Sequence, residues 1–374
     1  MKGLAITSKG LENIASLEIN ELINSECKTE DCCVIFDFEK FENLCLLCYK
    51  AQSVDRIVYL IGSFEFKDIL DSEKLMEKIN LEEWLNKYKK FKVECLRIGN
   101  HDFKSIDVEK RFVGFVNKKY KNRKFDLRDY EIIFFVYIVN NNCYIGIDFA
   151  GFELNKRVYK IYLHPNSLRG TIAYSLIRES GFKKDEVLLD PFSRDGIIPI
   201  EAALYSGNFP VNYFKKDRFA FLKLDLGINY EKFFNGVDKK IVKKPKEKIH
   251  SFDHLFKFVD FSKKNAKIAG VEDFIRFSRT EIEWLDIKFK KESVDKIVTN
   301  PPKSKSVNLN KIYNEFFYQS EYILKKEGTV GVITTMPGFV KSHAEKHKFF
   351  VAREAEVYSG EQMLSIIIFK KKNI

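Results

Sequence analysis

The chain has 374 residues, enough for two or three domains at about 100–200 residues each. Its 64 Lys and Arg outnumber 53 Asp and Glu, giving a formal charge of +11, and 45% of its residues are hydrophobic. That composition supports a sizeable core and excludes bulk disorder, and the excess of cations suits an anionic partner such as nucleic acid.

The first elements are short and alternate. Leu4–Thr7 reads as a strand, Gly10–Ile23 as a helix on the spacing of Leu11, Ile14, Ala15, Leu17 and Leu22, Cys32–Phe38 as a strand, Phe41–Cys48 as a helix and Arg56–Ile61 as a strand. This order suggests a small α+β sandwich. The next block predicts a helix over Ser72–Lys87, a strand over Lys92–Arg97 and a helix over Asp107–Tyr120. Two strands follow, Glu131–Val139 and Cys143–Phe149, joined at Asn140-Asn141-Asn142. The longest purely apolar run, Ile132–Val139, has eight residues, where a membrane-spanning helix needs about 20. An integral helical membrane protein is excluded.

From about residue 156 strands alternate with longer helices. Helices are expected at Leu168–Ser180, Gly196–Ser206, Phe258–Ala269 and Tyr313–Leu324. Strands are expected at Val187–Asp190, Ile249–Phe252, Phe274–Ser278, Asp295–Thr299, Val330–Thr334 and Ser365–Phe369. This pattern predicts a parallel, doubly wound α/β sheet. An aromatic and basic insertion occupies about 207–247.

Seven cysteines, Cys27, Cys32, Cys33, Cys45, Cys48, Cys95 and Cys143, are an odd number with none in the later part of the chain. They do not form a disulfide framework, so a reducing compartment is expected. The Cys45-x-x-Cys48 pair has no second pair at zinc spacing and reads as buried thiols rather than a metal or redox site. The N-terminus, MKGLAITSKG, has no long apolar stretch, so no secretion signal is expected and the location is read as cytoplasmic.

Four strand ends carry candidate chemistry. Val187–Asp190 runs into Pro191-Phe192-Ser193-Arg194-Asp195-Gly196 and a helix whose first N–H groups can face a ligand. Asp253 follows the second strand, where an acid meets ribose hydroxyls in nucleotide sites. Glu281 follows the third. Asn300-Pro301-Pro302 follows the fourth; the prolines stiffen the exit, and the Asn amide can accept a hydrogen bond from a planar amine. Taken singly, the first and fourth segments read about as well as ordinary loops, and Asp253 and Glu281 are more often solvated loop acids. All four fall on the edge where open α/β sheets bind ligands.

The constellation resembles class I S-adenosylmethionine-dependent methyltransferases that modify amino groups. The flanks narrow the likeness to the THUMP-domain RNA methyltransferases. Leu163–Ala173, Lys263–Val271 and Asp217-Arg-Phe-Ala-Phe221 have counterparts there, and so do the THUMP-like stretches Leu96–Ser105 and Ile145–Arg157. The similarity covers nearly the whole chain and is strongest to tRNA guanine-N2 methyltransferases and their ribosomal RNA homologues. It implies an N-terminal ferredoxin-like domain (1–63), a THUMP RNA-binding domain (64–155) and a Rossmann-like class I methyltransferase domain (156–374). By the same resemblance, Asp190, Phe192, Ser193, Asp195, Gly196, Asp253, Glu281 and Asn300 bind S-adenosylmethionine. Asn300, Pro301 and Pro302 form the catalytic segment, in which the Asn side chain and a backbone carbonyl hold the target amine. Arg97, His101, Lys104, Lys156 and Arg157 contact RNA phosphates. The expected function is guanine-N2 methylation of a tRNA docked through its acceptor end, by a monomer that needs no metal.

Two positions depart from the family. Where relatives have Asp-Pro-x-Cys-Gly-Ser-Gly-Thr, this chain has Asp190-Pro-Phe-Ser-Arg194-Asp195-Gly196-Ile, so Arg194 replaces a glycine. Lys303 stands where an aromatic ring stacks on the base. The sequence therefore leaves a second reading open, an RNA-binding protein that kept the fold and lost or altered transfer.

Overall fold

The computed structural model describes residues 1–66, 76–243, 246, 248–303 and 308–372. The chain forms two compact units. One comprises Met1–Thr7, Ala15–Leu154 and Lys215–Phe234; the other comprises Ser8–Ile14, Asn155–Phe214 and Asn235–Ile374. No helix among the described residues is long and apolar enough to cross a membrane.

In the first unit the strands are β1 (Lys2–Ile6), β2 (Cys27–Glu30), β3 (Cys33–Asp37), β4 (Arg56–Glu65), β5 (Lys90–Ile98), β6 (Lys124–Phe125), β7 (Ile132–Val139) and β8 (Asn142–Asp148). The helices are α1 (Glu12–Ile23, which begins in the other unit), α2 (Phe41–Lys50), α3 (Glu82–Lys87) and α4 (Ser105–Lys119). Of the helix expected over Ser72–Lys87, Glu82–Lys87 is seen as α3; residues 77–81 are irregular, and residues 72–75 lie outside the described ones. All eight strands form one sheet in the order β2-β3-β1-β4-β8-β7-β5-β6, so a single sheet spans both N-terminal segments distinguished in the sequence. β7 explains the longest apolar run: it lies between β5 and β8 and is buried at every position. Asn140, at the β7–β8 turn, takes φ +51°, which a short amide side chain tolerates. Cys45 and Cys48 are buried on α2, and burial raises both thiols.

Much of the insertion belongs to this unit. The backbone N–H groups of Ala220 and Phe221 donate to Ala150 and Phe149 carbonyls, each at 3.0 Å. Phe219 and Phe221 stack at 4.7 Å, and Phe234 meets Tyr49 of α2 at 4.9 Å. This packing accounts for Phe219, Phe221 and Phe234 of the segment's aromatic residues.

The second unit continues with helices α5 (Gly170–Glu179), α6 (Ile197–Ser206), α7 (Tyr230–Asp238, shared between the units), α8 (Phe256–Ala269), α9 (Leu285–Lys288), α10 (Leu309–Ile323) and α11 (Pro337–Lys346). Its strands are β9 (Leu188–Asp190), β10 (Ile249–Asp253), β11 (Ile275–Arg279), β12 (Val294–Thr299), β13 (Leu324–Thr334), β14 (Phe349–Ser359) and β15 (Gln362–Lys371), in the order β11-β10-β9-β12-β13-β15-β14. Strands β9 to β13 pair in parallel, as expected. The expectation of a wholly parallel sheet fails at one edge, because β15 is antiparallel to both β13 and β14. Only Gly360 and Glu361 separate Ser359 from its partner Gln362. A two-residue connection can join only antiparallel neighbours. Alternation along β9 divides the core: Leu188 packs with Ile172, Leu176 and Ile198, and Leu189 packs with Phe252, Phe316 and Val332.

Candidate active site

The sheet's order turns at β9, with β10 and β11 on one side and β12 and β13 on the other. At such a switch point the crevice beyond the carboxyl ends of the strands takes the ligand. Here β9 ends at Asp190, β10 at Asp253 and β12 at Thr299, one residue before Asn300. A cavity of about 560 Å³ lies there, lined among others by Phe192, Arg194, Asp253, Glu281, Pro302 and Lys303. Its size is ordinary for a small-molecule site, about 300–1,000 Å³. A second cavity, of about 120 Å³, is lined by Asn300 and Pro301 and shares Asn166 and Lys303 with the first.

Asp190 is fully buried. Its Oδ1 accepts from Thr299 Oγ1 (2.6 Å) and from the Phe192 N–H (3.1 Å), which ties β9 to β12. Burial outweighs these donors and pushes the carboxyl up to about 7. Asp253 Oδ1 accepts from Leu255 N and Oδ2 from Arg194 N, both at 3.0 Å. Burial raises this carboxyl as well, against those two N–H groups and the nearby His254 and Arg194.

The turn into α6 requires glycine at one position. Gly196 takes φ +80°, and a Cβ there would stand 2.1 Å from Ser262 Oγ. Asp195, expected at the cofactor, is engaged elsewhere. Its Oδ2 accepts from His164 N at 3.1 Å and its carbonyl from Asn265 Nδ2 at 2.9 Å. Ser193 Oγ is buried with no hydrogen-bond partner among the described residues.

Arg194 decides the character of the site. It holds φ +50°, a left-handed conformation that strains a residue with a Cβ. Its guanidinium is buried; Nη2 donates to the Pro301 carbonyl at 3.1 Å and Nη1 makes a longer contact of 3.4 Å to the Asn166 carbonyl. Asn300 Nδ2 reaches the same Asn166 carbonyl at 3.4 Å. With its NH₂ turned that way, Asn300 offers its oxygen as the acceptor. Tyr313 of α10 donates to the Pro302 carbonyl at 3.0 Å and fixes the proline segment from behind. Lys303 lines both cavities, and burial, followed by the charge of Arg194, lowers its ammonium. Sequence reasoning assigned no role to Asn166, Thr299 or Tyr313. Only Asn166 carried a signal, inside the quoted Leu163–Ala173 stretch.

The phosphate candidates separate. Arg97 lies over Phe103 at 5.4 Å, and His101 meets the same ring at 5.0 Å and the Asn140 carbonyl at 2.7 Å. Lys104 is exposed immediately before α4. These three gather at the β5–α4 connection. Lys156 is exposed in the other unit. Arg157 is a correction: its side chain has no solvent exposure and forms a bidentate pair with unexposed Glu201, at 2.7 and 3.2 Å. Glu201 sits in the otherwise apolar α6 and also accepts from the Tyr159 hydroxyl. A guanidinium held this way cannot reach a phosphate.

An RMKL-like methyltransferase-domain model matches residues 157–365 and a THUMP-domain model matches residues 66–148. The chain belongs to the THUMP-domain RMKL-like methyltransferase family. A tRNA (guanine(6)-N2)-methyltransferase of Methanocaldococcus jannaschii is 32% identical over 96% of this chain and 97% of its own. The enzyme of the same name from Archaeoglobus fulgidus is 26% identical over 98% of this chain and 91% of its own. Among solved structures, TrmN from Thermus thermophilus superposes with a TM-score of 0.73 at 21% identity, covering 99% of both chains. A methyltransferase solved with S-adenosylhomocysteine superposes with a TM-score of 0.79 at 18% identity, covering 100% of this chain and 98% of its own. The fold is that of a class I methyltransferase carrying a THUMP module.

Proposed function

We propose that this protein methylates the exocyclic N2 of guanine 6 in tRNA, in the cytoplasm, using S-adenosylmethionine. The observation that carries the reading is that Asp253 and Glu281 line the switch-point crevice and the Asn300-Pro301 acceptors line the smaller cavity that shares Asn166 and Lys303 with it, in a chain related along its length to enzymes of that name. The residues suit the cofactor. Carboxylates at the ends of β10 and after β11 fit ribose hydroxyls and an adenine amine. Phe192 and Ile282 supply apolar wall. When bound, S-adenosylmethionine supplies a methyl group on a positively charged sulfur.

The chain's own part is positioning. Asn300 Oδ1 and the Pro301 carbonyl accept from the two N–H groups of the guanine amine, which aims the nitrogen lone pair at the methyl carbon. The prolines and Tyr313 hold those acceptors still, so that little rearrangement is needed in the reaction. Arg97, His101, Lys104 and Lys156 hold phosphates and fix register. The N-terminal ferredoxin-like and THUMP segments, about 1–63 and 64–155, dock the acceptor end.

The test is methyl transfer to tRNA with guanine or adenine at position 6. Transfer is expected only to the guanine form, and Asn300→Ala should lower kcat by about 100-fold. Full activity in that variant would refute the assignment of the acceptor. The contact between Arg194 and the Pro301 carbonyl favours a second reading, RNA binding without turnover; robust transfer by the unmodified protein eliminates it.

A further inference from the structure

Arg194 stands where the resemblance implies glycine, and its buried side chain lines the crevice. One guanidinium nitrogen donates to the Pro301 carbonyl, and another contacts the Asn166 carbonyl that Asn300 Nδ2 also uses. A guanidinium is a planar N–H donor, and so is the exocyclic amine of a guanine. Both need the same acceptor. Asp190, Asp253 and Asp195 are the acids whose charge acts on this cation, and Asp253 lines the crevice where a sulfonium would bring its own positive charge.

We infer that Arg194 is a resident stand-in for both the target amine and the cofactor's positive charge, and that productive binding exchanges the guanidinium out of the crevice. This rests on the function proposed above.

The geometry gives the exchange its consequences. The Pro301 carbonyl cannot take the guanine amine while Nη2 holds it. A methyl carbon within attacking distance of that amine, about 3–3.5 Å, brings the sulfonium within a few ångströms of the guanidinium. Two positive charges repel at that distance. S-adenosylhomocysteine, whose sulfur is neutral, avoids the repulsion. Arg194 therefore discriminates against the methylated cofactor until the guanidinium leaves. A ligand that needs a minor state binds with its affinity reduced by that state's population. The left-handed backbone at φ +50° makes glycine the substitution that leaves the turn intact.

The experiment is calorimetric titration of S-adenosylmethionine and of S-adenosylhomocysteine into the unmodified chain, R194G and R194K. It is paired with steady-state methylation of tRNA carrying guanine 6. Thermal melts check that each variant is folded. R194G is expected to tighten S-adenosylmethionine relative to S-adenosylhomocysteine by about tenfold and to lower KM for tRNA severalfold. R194K keeps the charge but loses the planar fork, so it should keep most of the discrimination against the sulfonium. An affinity ratio equal in the unmodified chain and R194G overturns the inference, whatever the activity. If the ratio shifts as expected and no variant methylates tRNA, the stand-in is upheld and the proposed function fails. If tRNA is methylated and the ratio does not move, the function stands and the stand-in is refuted.

Discussion

Arg157→Met tests whether the cation at the start of the methyltransferase domain belongs to the core or to the RNA surface. The substitution keeps an unbranched apolar stem and deletes a guanidinium that pairs with Glu201 through two contacts, with neither side chain exposed. Glu201 then keeps the Tyr159 hydroxyl but loses this countercharge. Removing one partner of a buried ion pair costs about 3–5 kcal/mol. For a unit of this size, about 2–4 °C of melting temperature per kcal/mol, that corresponds to roughly 6–20 °C. Replacing both partners, as Arg157→Met with Glu201→Leu, removes the stranded charge and should recover most of the loss. Gly170 gives an independent route to the same pair. A Cβ there would lie 2.5 Å from both Arg157 Nε and Glu201 Oε1, so Gly170→Ala should destabilise by forcing them apart. Melting curves followed by circular dichroism read all of these variants. The salt dependence of tRNA binding supplies the second arm. A phosphate contact contributes about 0.7–0.9 to the slope of log K against log salt, and Arg157→Met should leave that slope unchanged. A variant that melts within about 2 °C of the parent and loses slope would refute the core assignment.

Arg97→Ala should do the opposite, reducing the salt slope by about 0.7–0.9 and barely moving the melting temperature, since the side chain lies half-exposed over Phe103. The Asp190 carboxyl sits at about 7 in the folded chain, against about 3.9 unfolded. Between those values the folded state holds a proton that the unfolded state lacks. Stability should therefore rise as pH falls from about 8 to about 5, by up to about 1.4 kcal/mol per pH unit; urea unfolding across that range should show the slope and Asp190→Asn should abolish it. Lys303→Tyr restores a ring beside the proline segment and should lower KM for tRNA about tenfold if the ring stacks on the base. A raised KM would instead make Lys303 a phosphate contact.

Position in the chain was a good guide to the site and a poor guide to burial. The switch-point crevice was legible because strand ends are marked in sequence: apolar runs stop at Asp190, Asp253 and Thr299, and the topology of a parallel sheet puts all such ends on one edge. The C-terminal β14 escaped notice because it is an edge strand with a largely exposed face, Arg353-Glu354-Ala355-Glu356, that shows no alternation of apolar and polar residues. Leu11 could not be placed from its neighbours either, since it packs with Ile172 and Val357, far from it in sequence.

Arg157 shows the limit most clearly. An arginine in a basic, THUMP-like stretch is indistinguishable by composition from one that meets phosphate. The information that separates them lay 44 residues away, in Glu201, a single carboxylate among Ile197, Ile198, Pro199, Ile200, Ala202, Ala203 and Leu204. An acid in the middle of a helix that is apolar all round must find a buried cation or remain neutral. Arg194 obeys the same rule from the other side. The positive charge of Arg194 is answered by Asp190, Asp253 and Asp195, while its guanidinium donates to the Pro301 carbonyl. In both cases the charge that matters is fixed by the opposite charge it answers, and the net charge of the chain says nothing about either.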